Sequence, residues 1–449
     1  MIYLLISIIS ILLTIFIVIG THEFAHFIAA RLLGVKIIRF SIGFGKTLFR
    51  WHDKKHTEYV IALIPLGGYV KMLDEREESV DKKDLPQAFN RQPFYKKFLI
   101  VLAGPVVNIL CALFFYWALF MIGFVVPKPI IGAITPHSIA AVGGLKPQQE
   151  ILTVDEKQTL TWTSVLFGII LHAGNQDELL ISVQNLDKSI KQYSLNLEQW
   201  SLDKLSPDPF KSLGIAPLEP QVHLTIAAIK QESPAARYGL QVNDKILAVD
   251  KIPMKTWNEV LKFIHEHPQQ QVLFTVQRQH KTMNLLVTVG SQLNNFHEQG
   301  YLGVSPTIIW PTDFFRTIQY GPLQAFFMAI KEVKDFVIIN FTLISKLVTG
   351  KISLQSLGGP ISIFQSAGEA LNYGFIAFLN FLAFISIAVG VMNLLPIPGL
   401  DGSHLLIQII ESISGKPLPE KLLLNFYRLG FILILFLMLQ TFINDILRF

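Results

Sequence analysis

The fold class this 449-residue sequence predicts is an α-helical polytopic membrane protein with four transmembrane helices and two inserted α+β modules. Three observations point to it. Apolar runs of about 20 residues or more, enough to cross roughly 30 Å of hydrocarbon as helix, occur near 4–32, 98–126, 376–400 and 422–443. The composition is 51% hydrophobic and only 16% charged, which a soluble core does not explain. Between the second and third runs a polar stretch recurs at an offset of 95 residues.

The first run carries His22-Glu23-Phe24-Ala25-His26. Residues four apart on a helix share a face, so both imidazoles can bind one Zn²⁺ while Glu23 is placed to take a proton from a metal-bound water. A structural polar cluster is the alternative, but burying Glu and two His in hydrocarbon costs several kcal/mol unless they are paired or metal-bound. No Lys or Arg precedes Arg31 and no small-residue cleavage pattern precedes His22, so the run is expected to stay in the mature protein.

The loop 34–97 carries thirteen Lys or Arg residues, and the flank before His22 has none. The positive-inside rule then predicts a cytoplasmic loop, external N- and C-termini, and a large external region from 127 to about 375. Within the loop, residues 37–73 hold two β-prone runs around Gly43-Phe44-Gly45 and Gly67-Gly68, which signals a β-hairpin.

The external repeat aligns Ser138–Leu166 with Ser233–Leu261 without a gap, and thirteen positions match, among them Gly144 with Gly239, Asp155 with Asp250 and Trp162 with Trp257. That period is too long for a solenoid and fits a duplicated small domain, each copy running from a Gly-Leu turn through a short strand to a helix near Thr-Trp. The expected domains are 1–126, 127–220, 221–308, 309–375 and 376–449. In the fourth, short apolar stretches such as Phe336–Val348, flanked by Lys331, Lys334, Lys346 and Lys351, read as amphipathic helices on the outer surface; a fifth membrane segment, which would invert the later topology, is the alternative.

A catalytic zinc site usually has three protein ligands and one open position. The third candidate is Asp401, in Asn393-Leu-Leu-Pro-Ile-Pro-Gly-Leu-Asp401-Gly402 at the inner end of the third run, at a depth matching His22. Pro396, Pro398 and Gly399 interrupt helical bonding there, which membranes tolerate where backbone is buried in protein or lines a wet cavity. An N-cap role for Asp401 is the competing reading. His404 is a rival ligand, read as interfacial. His137, His172, His223, His265, His267, His280 and His297 lack ligand spacing and read as surface residues. Asn108, in Ala103-Gly-Pro-Val-Val-Asn108, and Asn393 are polar groups at functional depth, open to interhelical hydrogen bonding or substrate contact.

The net charge of +5 comes without a basic block interleaved with aromatics, so nucleic acid is not an expected partner. The single cysteine, Cys111, permits no intrachain disulfide and reads as a small packing residue. A membrane adaptor with a bracing polar cluster, or a metal transporter, are the rival functions.

Taken together, HExxH in the first span, GPxxN in the second, NxxPxPxLDG in the third and a duplicated external module resemble the site-2 protease family of intramembrane metalloproteases, essentially over the whole chain. The resemblance implies a bacterial inner-membrane enzyme with two periplasmic PDZ-like domains at 127–220 and 221–308. It implies Zn²⁺ held by His22, His26 and Asp401, Glu23 as catalytic base and Asn393 holding substrate. The implied partner is a pre-trimmed single-pass membrane protein such as an anti-sigma factor, cleaved in regulated intramembrane proteolysis, with the hairpin dipping toward the active site.

Overall fold

The computed structural model describes residues 2–76, 80–175, 177–202, 208–294 and 297–448. Among the described residues, four helices are long and apolar enough to cross a membrane: Leu5–Leu32, Phe94–Ile122, Phe375–Leu394 and Glu420–Leu447. The third ends at Leu394 rather than near 400, because Pro396 and Pro398 offer no N–H and bias the residues before them toward extended backbone. The second starts at Phe94, behind Pro93, and stops at Gly123, whose φ of +83° turns the chain into the strand Phe124–Pro127.

One apolar core joins the second and third of these helices to the helix Pro322–Val348. Ala112, Tyr116, Leu119 and Phe120 meet Ala325, Ala329, Val333 and Phe336 on one side, and Leu379, Ala383, Ile387 and Val391 on the other. The spacing 325, 329, 333, 336 is one helical stripe, which explains why 322–348 forms a single continuous helix and not the short pieces expected from sequence. Its lysines at 331 and 334 lie on the exposed side. The following helix, Pro360–Asn372, is capped from far along the chain. The Asp445 carboxylate accepts hydrogen bonds from the Gly359, Ile361 and Ser362 N–H groups and from the Ser362 hydroxyl.

The segment 37–72 contains four pairing stretches instead of two. Phe40 pairs with Val70 on one side and Tyr59 on the other, and 58–61 pairs further with 49–52, so each long strand, Ile37–His52 and Glu58–Met72, is used twice. Among the described residues, 68–72 pair on one side only, with 37–42. Arg31, at the end of the first helix, ties this sheet down: its guanidinium lies 4.7 Å over Phe27 and pairs with Asp53 in the turn.

The chain divides into two compact units. Residues 1–129, 134–215 and 315–449 form one; 130–133 and 216–314 form the other. The two repeat copies show the same local solutions inside their respective units. Ser138 and Ser233 each cap a short helix. Thr161 and Thr256 each form a capping box, with Ser164 and Glu259. Asp155-Glu156 and Asp250-Lys251 each take the paired positive φ angles of a tight hairpin turn. A correspondence the ungapped repeat did not reach appears as well: Leu213-Gly214-Ile215 and Leu302-Gly303-Val304. Both glycines have positive φ, and their carbonyls accept from Thr135 and Lys230, which stand 95 residues apart. In the first copy the sheet holds Glu150–Val154, Glu178–Gln184 and Ile190–Asn196; in the second, Lys245–Val249 lies between Gln271–Arg278 and Gln221–Ile229. The core of the second copy gathers Ile226, Val249, Trp257, Val260, Phe274 and Val287.

Two histidines depart from the surface reading. His172 is half-buried, with Nδ1 2.9 Å from Asp177 and Nε2 on Asp155. His267 stacks on Phe263 at 4.1 Å. The side chain of His297 lies outside the described residues.

Candidate metal centre

His22 and His26 are buried on the inward face of the first helix, and their Nε2 atoms lie 3.2 Å apart. Asp401 Oδ2 stands 3.0 Å from His22 Nε2 and 3.3 Å from His26 Nε2. The two ends of the chain thus bring three ligand atoms to one point. Asp401 is the first residue of the helix Asp401–Ser414, and Leu400 is the N-cap, so the N-cap alternative for Asp401 does not hold.

A test of the donor set follows from hydrogen-bond chemistry. His26 Nδ1 lies 2.8 Å from the Ile100 carbonyl. A carbonyl only accepts, so Nδ1 carries the proton and Nε2 presents a lone pair. That lone pair, His22 Nε2 and the Asp401 oxygen face one another, and Asp401 Oδ2 is buried with no hydrogen-bond partner among the described residues. Three such ligand atoms converging on one point make a cation site. Tetrahedral zinc with bonds of about 2.0–2.1 Å would hold its ligand atoms roughly 3.3 Å apart, and the three separations here match. The residues fit zinc.

The second helix makes room for this centre. A Cβ at Gly104 would sit 2.3 Å from His26 Nε2 and 2.7 Å from His22 Cε1. Only glycine lets the helix backbone lie against both rings. At Pro105 there is no N–H to return to Val101, so one rung of the helix is missing beside the turn whose Ile100 carbonyl serves His26. On the far side, a Cβ at Gly402 would meet the Leu395 carbonyl at 2.2 Å, so glycine lets the Asp401 helix start hard against the end of the third span.

Glu23 is half-buried beside the histidines and points toward the sheet, where a Cβ at Gly68 would lie 2.9 Å from its Cγ. Asn108 is fully buried, with Nδ2 3.2 Å from His22 Nδ1. Asn393, near the end of the third span, is half-buried and makes no side-chain hydrogen bond with a described residue. His404 is exposed and turned to the Tyr427 hydroxyl at 3.4 Å, outside the His22, His26, Asp401 group. Gly68, Gly104 and Gly402 stood in motifs visible in the sequence, but nothing there assigned them a part at the centre. The only signal for Gly104 was a glycine beside a proline in a span, and nothing local marks which residues it faces.

Set among helices of spanning length, this chemistry is that of an integral-membrane metallopeptidase. Residues 10–437 match the model of Peptidase family M50, and the chain belongs to that family, as its resemblance to the site-2 proteases implied. It is 40% identical over 434 residues to the Regulator of sigma-E protease RseP of Salmonella typhimurium, with 96% of each chain covered. It is 37% identical over 433 residues to the protein of the same name from Escherichia coli, again with 96% of each covered. A relative from Vibrio cholerae, 38% identical over 438 residues and 96% of each chain, is named as a zinc metalloprotease. The enzyme is a zinc metalloprotease of the site-2 type.

Proposed function

We propose that this enzyme cuts a peptide bond within or near the transmembrane segment of a pre-trimmed single-pass membrane protein of the anti-sigma-factor kind, in regulated intramembrane proteolysis that signals envelope stress. The observation that carries this reading is the position of Glu23. It lies between the His22, His26, Asp401 cluster and Gly68, on the strand edge 68–72 that pairs on one side only. Helical peptide bonds are shielded from attack. A substrate segment unwound and added as a strand to that edge would run beside Glu23 with its carbonyls exposed.

His22, His26 and Asp401 would hold the zinc, which supplies Lewis acidity for the scissile carbonyl and lowers the pKa of water. Glu23 takes the proton of the attacking water and later delivers it to the leaving amine nitrogen. Asn393, with its amide unengaged, hydrogen-bonds the substrate backbone. The enzyme sits in a bacterial inner membrane with loop 34–97 in the cytoplasm. The two modules, 127–220 and 221–308, are periplasmic PDZ-like domains that exclude bulky ectodomains, and helices of 309–375 lie at the outer surface. The relatives named as regulators of sigma-E support the signalling role.

The test is purified full-length enzyme with a tagged single-pass substrate, with and without a zinc chelator, and the products weighed by mass spectrometry. A cut inside the apolar segment, abolished by chelator and restored by zinc, is expected. Cleavage confined to soluble regions, or indifferent to chelator, overturns the proposal.

A further inference from the structure

We propose that Asn108 is a positioning residue for the metal centre: its side-chain oxygen accepts the Nδ1 proton of His22 and so fixes that ring with Nε2 toward the zinc. The inference rests on the reading of His22 as a ligand. With His22 Nε2 bound to the metal at the point it shares with Asp401 and His26, a neutral His22 carries its proton on Nδ1, which then needs an acceptor. The neighbour at Nδ1 is Asn108, whose NH₂ nitrogen is the atom placed 3.2 Å away. Two donors would meet there. Meanwhile Asn108 Oδ1 is buried with no hydrogen-bond partner among the described residues. A half-turn of the amide exchanges oxygen and nitrogen in nearly the same positions: it removes the meeting of two donors and gives Oδ1 the His22 proton, with the NH₂ moved to the place Oδ1 held.

The same helix does the same thing for the other ligand. Ile100 gives its carbonyl to His26 Nδ1, Gly104 leaves space for both rings, and Asn108 takes His22 Nδ1. Positions 100, 104 and 108 follow one stripe of the second span, facing the first. A backbone carbonyl at one end and a side-chain oxygen at the other thus orient the pair. Complete burial leaves Asn108 no face for a peptide, which separates its role from that of Asn393. Groups that orient a metal-bound imidazole in this way are typically worth about 10–100-fold in metal affinity.

The experiment uses the full-length protein in detergent, with zinc affinity measured by chelator competition and the site read by the visible spectrum of bound Co²⁺. Asn108→Leu is expected to weaken zinc by about 10–100-fold and to change the Co²⁺ spectrum. Asn108→Asp keeps an oxygen acceptor and is expected to retain wild-type affinity or better. Ser386→Ala removes a different buried polar group, a hydroxyl on the third span, and is expected to leave both readouts unchanged. Wild-type zinc binding and spectrum in Asn108→Leu overturn the proposal, as does equal loss in Ser386→Ala, which assigns Asn108 to helix packing. A tenfold loss in Asn108→Asp overturns it whatever the leucine variant does. His22→Ala separates the two readings: zinc lost there but kept in Asn108→Leu defeats this inference alone, whereas zinc kept in both defeats the ligand assignment.

Discussion

Two substitutions at the centre separate chemistry from metal binding. Glu23→Gln keeps the shape of the side chain but cannot take a proton, so zinc content is expected to stay at the wild-type level while turnover falls by about 10²–10⁴-fold. Loss of zinc together with turnover, or unimpaired cleavage, contradicts the role given to Glu23. Gly104→Ala is expected to lose the metal itself, and turnover with it, because its methyl would stand 2.3 Å from His26 Nε2. Metal analysis of that variant is expected to show zinc displaced with the fold intact by circular dichroism, and normal zinc would mean that the second helix yields more readily than its packing implies. Of these residues, the histidines, Glu23 and Asp401 could be read from sequence because their types are anomalous in an apolar setting. Gly104 and Gly68 could not, since a missing side chain announces nothing until its neighbour from another helix or strand is known.

At the scale of elements, the sheet 37–72 and the first repeat copy each carry a device that can be probed. Arg31 and Asp53 join the end of the His22/His26 helix to the turn of the sheet. Burial opposes charge on Asp53, but the Arg31 guanidinium and the Thr57 and Lys55 N–H groups hold its carboxyl down to about 2. Arg31→Met is expected to raise KM by loosening the strand edge, with zinc content unchanged; kinetics on a tagged substrate checks this, and an unchanged KM rejects it. In the first copy, burial works against protonation of His172, yet Asp177 and Asp155 outweigh it and the pKa is raised. A raised folded-state pKa means a stabilising contribution that is complete below the unfolded value of about 6.5 and is lost as pH climbs through the folded value. Lys346, donating to the Ala173 carbonyl, and Lys351, 2.9 Å from Asn175, border the same loop. The thermal midpoint of the wild type is expected to fall more steeply from pH about 6 to about 8 than that of His172→Gln, and parallel curves would contradict it. His172 looked like a surface residue in sequence because its partners, at 155 and 177, meet it only after the chain has turned twice. The spans were legible for the opposite reason, as length and apolarity are local properties. That 322–348 runs as one continuous helix was not legible because the stripe Ala325, Ala329, Val333, Phe336 has meaning only against the partners that bury it.

Over the whole molecule, the repeat at 138 and 233 was visible because thirteen residues match without a gap, and the matching caps and turns show that sequence identity carried local geometry with it. The recurrence at Gly214 and Gly303 escaped that alignment because its spacing differs from 95 residues. If the modules screen ectodomains as proposed, a trimmed single-pass substrate is cut and the same substrate bearing a folded globular domain on its outer end is not, as judged by gel shift of a cytoplasmic tag. Equal cleavage of the two would remove the screening role while leaving the metal centre untouched.

X-ray absorption at the zinc edge of the purified full-length enzyme addresses that centre most directly, since it counts and identifies the atoms around the ion. One zinc per chain is expected, with two imidazole nitrogens and carboxylate oxygen at about 2.0–2.2 Å, and a change of the oxygen shell in Asp401→Ala. A spectrum with a single imidazole or none, or one that Asp401→Ala leaves as it was, would contradict a site assembled from His22, His26 and Asp401.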